Sequence, residues 1–193
     1  MRHISAKGLK NSAILLVLFI LTLGTAASSF AATSQQAPAR DSAGYETWLT
    51  KQVRHELVMI PWYSVFDNLQ YKVEGGKVTL LGQVTNPTIK DNAASAVKHI
   101  EGVEAVDNQI EVLPPSPNDD RIRRATFRAI YSFPSLQMYA VRSVPTIHII
   151  VDRGHVTLEG SVARESDKDA AGIRANSVPG AFSVTNNLRV DNS

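Results

Sequence analysis

From Trp48 onward, apolar positions recur at two spacings, and the same succession of spacings is written twice. Trp48, Leu49, Val53, Leu57 and Ile60 fall on one helical stripe, and Pro61 closes it. Leu69, Tyr71 and Val73 then alternate with polar residues, as Ile147, Ile149 and Val151 do later. "EGGK" and "DRGH" follow these runs, each with two central residues ending in glycine, which predicts a tight hairpin turn. The return strands read "GKVTLLGQV" and "GHVTLEGSV"; Val78, Leu80 and Val84 point one way, Thr79 and Gln83 the other. Asn86-Pro87 is an N-cap with proline in the first turn of a second helix, whose apolar face is Ile89, Ala93, Val97 and Ile100. Gly102 stops it, as Gly180 does in the later copy. A last strand alternates Val106, Asn108, Ile110 and Val112, matched by Val184, Asn186, Leu188 and Val190.

The order is α-β-β-α-β, twice. An offset of 78 aligns residues 76–112 with 154–190 without a gap, and 13 of those 37 positions are identical. Upstream, an offset of 73 places Leu49, Val53, Leu57 and Pro61 on Ile122, Thr126, Ile130 and Pro134, so the second copy holds five extra residues before its first strand. Units of about 70 residues are a tandem domain duplication, since solenoid repeats are shorter and more numerous. The expected fold class is α+β, each domain a small mixed three-stranded sheet covered by two helices. The first domain is expected over 47–113 and the second over 119–191, with a proline-rich linker at 114–118.

The start of the chain changes the picture of its charge. Arg2, Lys7 and Lys10 precede the apolar run Ser12 to Ala27, and "SSFAA" offers small residues at Ser29 and Ala31. This is the plan of a secretory signal peptide over 1–31, followed by a flexible Ala/Ser/Gln/Pro segment over 32–46. An uncleaved anchor is long enough to be the rival reading; the small-residue exit favours cleavage. Three of the 20 Lys and Arg residues precede Ala32 and all 18 acids follow it, so the processed chain carries a net charge of −1. That balance gives no argument for nucleic-acid binding, which wants a basic face. There is no cysteine, hence no disulfide and no lipid on an N-terminal cysteine. No later stretch is long and apolar enough to span a bilayer. A periplasmic or secreted protein, soluble after cleavage, is expected.

Catalytic chemistry finds little support. His55, His99, His148 and His155 include no pair at i, i+4 and no HExxH motif, so neither a metal site nor another cofactor is expected. There is no G-x-S-x-G elbow, and "EGGKVT" lacks the glycine spacing and following helix of a phosphate loop. Asp91 and Asp169 recur early in their helices, where the helix dipole favours an anion. Gly82 and Gly160 interrupt the apolar phase of the return strands, which suggests a close backbone approach where the second helix crosses. Asn108 and Asn186 occupy apolar-phase positions and need hydrogen-bond partners, most simply backbone groups at a strand bend. These four are read as structural.

The repeated "VTLLGQV" and "VTLEGSV", with "IEGVEAVDNQIEV" and "VPGAFSVTNNLRV", resemble the BON domain (bacterial OsmY and nodulation), over nearly all of Trp48 to Asp191. A signal followed by two such domains resembles the osmotically inducible periplasmic members of that family. The resemblance implies a non-enzymatic binding module, with anionic phospholipid the leading ligand and the first helix of the second domain the lipid face. Envelope maintenance or osmotic stress protection would be the setting. A chaperone-like or protein–protein interaction module is the alternative.

The residues of the second copy fit such a face. Arg121, Arg123, Arg124 and Arg128 run into Tyr131, Phe133, Leu136, Met138, Tyr139 and Val141. Residues 118–193 carry 10 basic and 8 acidic side chains; residues 47–113 carry 6 and 8. Arginine beside aromatic rings suits a membrane interface. The lipid-facing candidates are Arg121, Arg124, Arg128, Phe133, Leu136 and Tyr139. The cognate "IPWYSVF" of copy one has aromatics without arginines, so Trp62, Tyr63 and Phe66 are candidates for a domain–domain or partner contact.

Overall fold

The structure is a computed structural model and describes Pro38 and residues 44–141 and 144–191. The expected signal segment lies outside the described residues. Thirteen elements build two copies of one α+β plan. The first copy holds α1 (Tyr45–Val58), β1 (Asn68–Glu74), β2 (Lys77–Val84), α2 (Pro87–Lys98), β3 (Ala105–Asn108) and β4 (Glu111–Val112). The second holds α3 (Pro117–Tyr131), a 3-10 helix (Pro134–Ala140), β5 (Ile147–Asp152), β6 (His155–Val162), α4 (Glu165–Asn176), β7 (Ser183–Asn186) and β8 (Arg189–Val190). In each sheet the return strand is central. β2 runs antiparallel to β1 and parallel to β3 and β4; β6 does the same with β5, β7 and β8.

The last strand of each copy is broken rather than continuous, and the asparagine accounts for the break. Asn108 Oδ1 accepts from the Ile110 amide (3.2 Å), and its Nδ2 donates to the Lys90 carbonyl of α2 (3.0 Å). Asn186 repeats both bonds, with Leu188 and Lys168. The amide thus takes over a ladder position and pins the strand to the helix above it.

Gly82 and Gly160 sit at φ +110° and +111°. A Cβ there would fall on the backbone carbonyl oxygen of Asn68 or Thr146. The close approach is therefore made by the neighbouring hairpin strand, not by the crossing helix expected from sequence.

Two cores result. One gathers Leu49, Val53 and Leu57 of α1, Ile89, Ala93 and Val97 of α2, and Val78, Leu80 and Val84 of β2, all at 3 % exposure or less. The other gathers Ile122 and Ile130 of α3, Leu136 of the 3-10 helix, Ile147, Ile149 and Val151 of β5, and Val156 and Leu158 of β6. Fully burying each such aliphatic side chain stabilises by about 1.5–3 kcal/mol, so these stripes hold the helices on the sheets. An acid in the first turn of each leading helix also ties down the hairpin turn. Glu46 accepts from Gly75 N (3.1 Å), and the buried Asp119 accepts from both Arg153 N and Gly154 N (3.0 and 2.8 Å).

Candidate surface site on the second domain

α3 starts on a Ser116 cap whose hydroxyl accepts from Asp119 N, with Pro117 in the first turn. Its buried stripe leaves Arg121, Arg124 and Arg128 exposed, at the i, i+3, i+7 spacing that puts three side chains on one face. Arg121 also bonds Asn118 Oδ1 (2.8 Å). Arg123 is different. It is 4 % exposed, donates to Val151 O (2.6 Å) and pairs with Asp120 (2.6 Å), so it braces α3 against β5 and offers nothing to a surface.

The apolar half of the expected face is largely turned inward. Leu136 is fully buried and Tyr139 is 7 % exposed. The longer connection of this copy contains the 3-10 helix, which lays both side chains into the core. The Tyr139 hydroxyl donates to Asp167 (2.7 Å) and accepts from Ala163 N (2.9 Å). Neither can insert into a membrane without opening the domain. Phe133 is half-buried, with the Arg174 guanidinium 5.2 Å over its ring. The apolar side chains exposed in this stretch are Met138 (57 %) and Val141 (84 %).

The stretch after α1 divides. Trp62 is 79 % exposed, at φ +70°. Tyr63 and Phe66 instead face the second copy. The Tyr63 ring stacks on His148 at 5.7 Å, and Phe66 meets Phe127 of α3 edge-on at 6.2 Å. Between them the Val65 carbonyl accepts from the Ile149 amide of β5 (2.8 Å), and Val65 is buried in the second core. Asp67, fully buried, holds this loop: it accepts from Ser64 N and Oγ (3.0 and 2.7 Å) and from Thr85 N and Oγ1 (2.7 and 2.8 Å). Burial raises the Tyr63 phenol to about 12 and lowers the His148 imidazole below its ordinary value. Sequence reasoning did not reach Asp67, Val65 or His148 as parts of one joint.

Among the described residues no group of three or more His, Asp or Glu side chains gathers at metal-binding distance, and no helix is long and apolar enough to cross a membrane. An open groove of about 360 Å³ lies between the end of α1 and α2, with Met59, Glu56 and Asn92 on its walls.

A duplicated αββαβ unit with a central return strand, an exposed basic helix face and a buried inter-copy joint defines a tandem α+β domain protein. The family model described as BON domain matches residues 45–114 and 136–192, and the chain belongs to that family. It is 28 % identical over 118 residues to the outer membrane lipoprotein DolP of Haemophilus influenzae, a match covering 57 % of this chain; the chain spans 61 % of that relative's length. Two solved structures of CdsD, a structural protein of the Type III secretion system of Chlamydia trachomatis, align with it. The first, of the C-terminal domain, has a TM-score of 0.30 at 11 % identity, covering 74 % of this chain and 97 % of that one. The second has a TM-score of 0.28 at 12 % identity, covering 75 % and 92 %. Scores this low carry no inference.

Proposed function

We propose that the chain is an exported, non-enzymatic binding protein of the cell envelope whose second domain docks peripherally on anionic phospholipid. The observation that carries this reading is the single exposed face of α3 bearing Arg121, Arg124 and Arg128. Each basic side chain held near an anionic leaflet contributes about 1 kcal/mol, and the contribution is screened by salt. Met138 and Val141, rather than Leu136 and Tyr139, are the apolar side chains free to enter the interface beside them. Membership of the BON family and the likeness to an outer membrane lipoprotein support an envelope setting, and the leader read in the sequence supports a periplasmic location.

Co-sedimentation with phosphatidylglycerol vesicles at low salt is the test. Binding should fall at high salt and be weak on neutral vesicles. Replacing Arg121, Arg124 and Arg128 by Glu should lower it by more than about tenfold. Equal binding to neutral vesicles, or no effect of the triple replacement, overturns the reading. Suppression of client-protein aggregation without lipid, unaffected by the same replacement, would favour the chaperone-like alternative.

A further inference from the structure

The helix face of the first domain that points away from its core is also basic, and it ends in exposed apolar side chains. With Leu49, Val53 and Leu57 buried, the 3.6-residue turn sets Lys51, Arg54, His55 and Val58 opposite them, all exposed. The stripe continues past the helix end into Met59, 66 % exposed, and Trp62, 79 % exposed. No acid lies among Lys51, Arg54, His55 and Val58: Glu46 sits at the far end of α1 and is bonded to Gly75 N, and Glu56 borders the stripe only at Met59, with which it shares the wall of the groove toward α2. Trp62 is held outward at φ +70°, a conformation that costs a bulky non-glycine residue about 1–3 kcal/mol. A large ring kept in water on a strained backbone calls for an occupant.

The second copy shows what that face does when it is covered. By the 73-residue offset, Arg54 and Val58 correspond to Phe127 and Tyr131 of α3. Phe127 is packed between Phe66 of the first domain and Tyr131. In domain one the same positions are open and one of them is cationic. A second copy of the chain is a poor occupant by the same mode. The covering element there is the loop carrying Val65 and Phe66, and both are already engaged within the chain.

We infer that the α1 stripe is a second docking surface for anionic lipid, in which Lys51 and Arg54 meet headgroups while Trp62 and Met59 enter the interface. Cations beside a partly immersed tryptophan are the chemistry of a headgroup boundary. The inference rests on the lipid reading above for the kind of surface, but on none of its residues.

The chain has two tryptophans, so Trp48→Phe leaves Trp62 as the sole reporter. Against vesicles of phosphatidylcholine with 30 % phosphatidylglycerol at low salt, Trp62 emission should shift to the blue. It should also be quenched by lipids brominated high on the acyl chain, and high salt should reverse both effects. Lys51→Glu with Arg54→Glu should lower partitioning about tenfold, and Trp62→Ser several-fold, with unfolding midpoints unchanged because all three positions are exposed. Persistence of the Trp62 signal after replacement of Arg121, Arg124 and Arg128 supports the stripe whatever α3 does. Vesicle binding with Trp62 emission unmoved and no effect of the Lys51/Arg54 replacement overturns the stripe and leaves α3 standing. No vesicle binding at all overturns both. A blue shift without vesicles that grows with protein concentration overturns it in favour of self-association.

Discussion

The ring of Tyr63 lies nearly parallel to that of His148, 5.7 Å away at 25°, so an aromatic pair closes one side of the joint between the two domains. His148 Nδ1 is buried there with no hydrogen-bond partner among the described residues. Burial lowers the imidazole pKa. Backbone groups of Asp67 and Ser64 and the carboxylates of Asp67 and Glu159 pull the other way without overcoming it. As pH falls below about 6.5 the unfolded chain takes up this proton before the folded chain does. Stability contributed by neutral His148 is therefore full above that value and is lost on acidification. The urea midpoint should drop between pH 7.5 and pH 5, and His148→Phe should drop less. Equal drops in both proteins would show that the ring does not titrate at the joint.

Asp67 carries the loop that reaches across. Asp67→Ala leaves the part-buried amides of Ser64 and Thr85 without their acceptor, a loss of about 1–3 kcal/mol. Denaturant unfolding measures it, and limited proteolysis between Met59 and Asn68 should accelerate alongside. A variant as stable and as resistant as wild type would rule out this role.

Gly82→Ala and Gly160→Ala each force a side chain into a backbone conformation near φ +110° and onto a facing carbonyl. Each should destabilise by more than about 2 kcal/mol. Gly44→Ala, where a Cβ meets nothing within 4 Å, is the control and should change stability little.

Asp167 occupies the place held by the buried Ile89 in the first domain and is 2 % exposed. Burial alone would raise its pKa. Hydrogen bonds from Tyr139 and Arg164, with the Arg164 charge, outweigh that and hold it below the ordinary carboxylate value. Its stabilising contribution is thus present above about pH 4 and lost as pH falls further. Tyr139→Phe removes the donor to Asp167 and the acceptor for Ala163 N, and should cost about 1–3 kcal/mol at neutral pH. Thermal unfolding at pH 7 and pH 3 should show a smaller gap between variant and wild type in acid.

Helices, hairpins and duplication were legible because each rests on local chemistry: Asn86 before Pro87, glycines in the turns, and period-two strands between them. What escaped the sequence depends on partners far along the chain. The backbone bonds and strand bend at Asn108 were expected, but not that Lys90 of α2 is the partner, and the bracing role of Arg123 needs Val151. Leu136 and Tyr139 read as surface residues because Arg121, Arg124 and Arg128 precede them. The 3-10 helix over Pro134–Ala140 decides which way they face. The basic stripe of α1 is inconspicuous in the sequence because Lys51 and Arg54 are spaced among the polar positions of an ordinary amphipathic helix, before the aromatic run that starts at Ile60.

The joint is made from unlike surfaces, a loop of one domain on the open edge strand of the next. Contacts of that head-to-tail kind can in principle repeat without end, as in a filament. Here the corresponding stretch of domain two turns Leu136 and Tyr139 into its own core, with Tyr139 bonded to Asp167, where Val65 and Phe66 of domain one reach outward. The same stretch is thus a bridge in the first copy and part of the core in the second, so the two halves of the duplication are alike in fold and unlike in what they can hold.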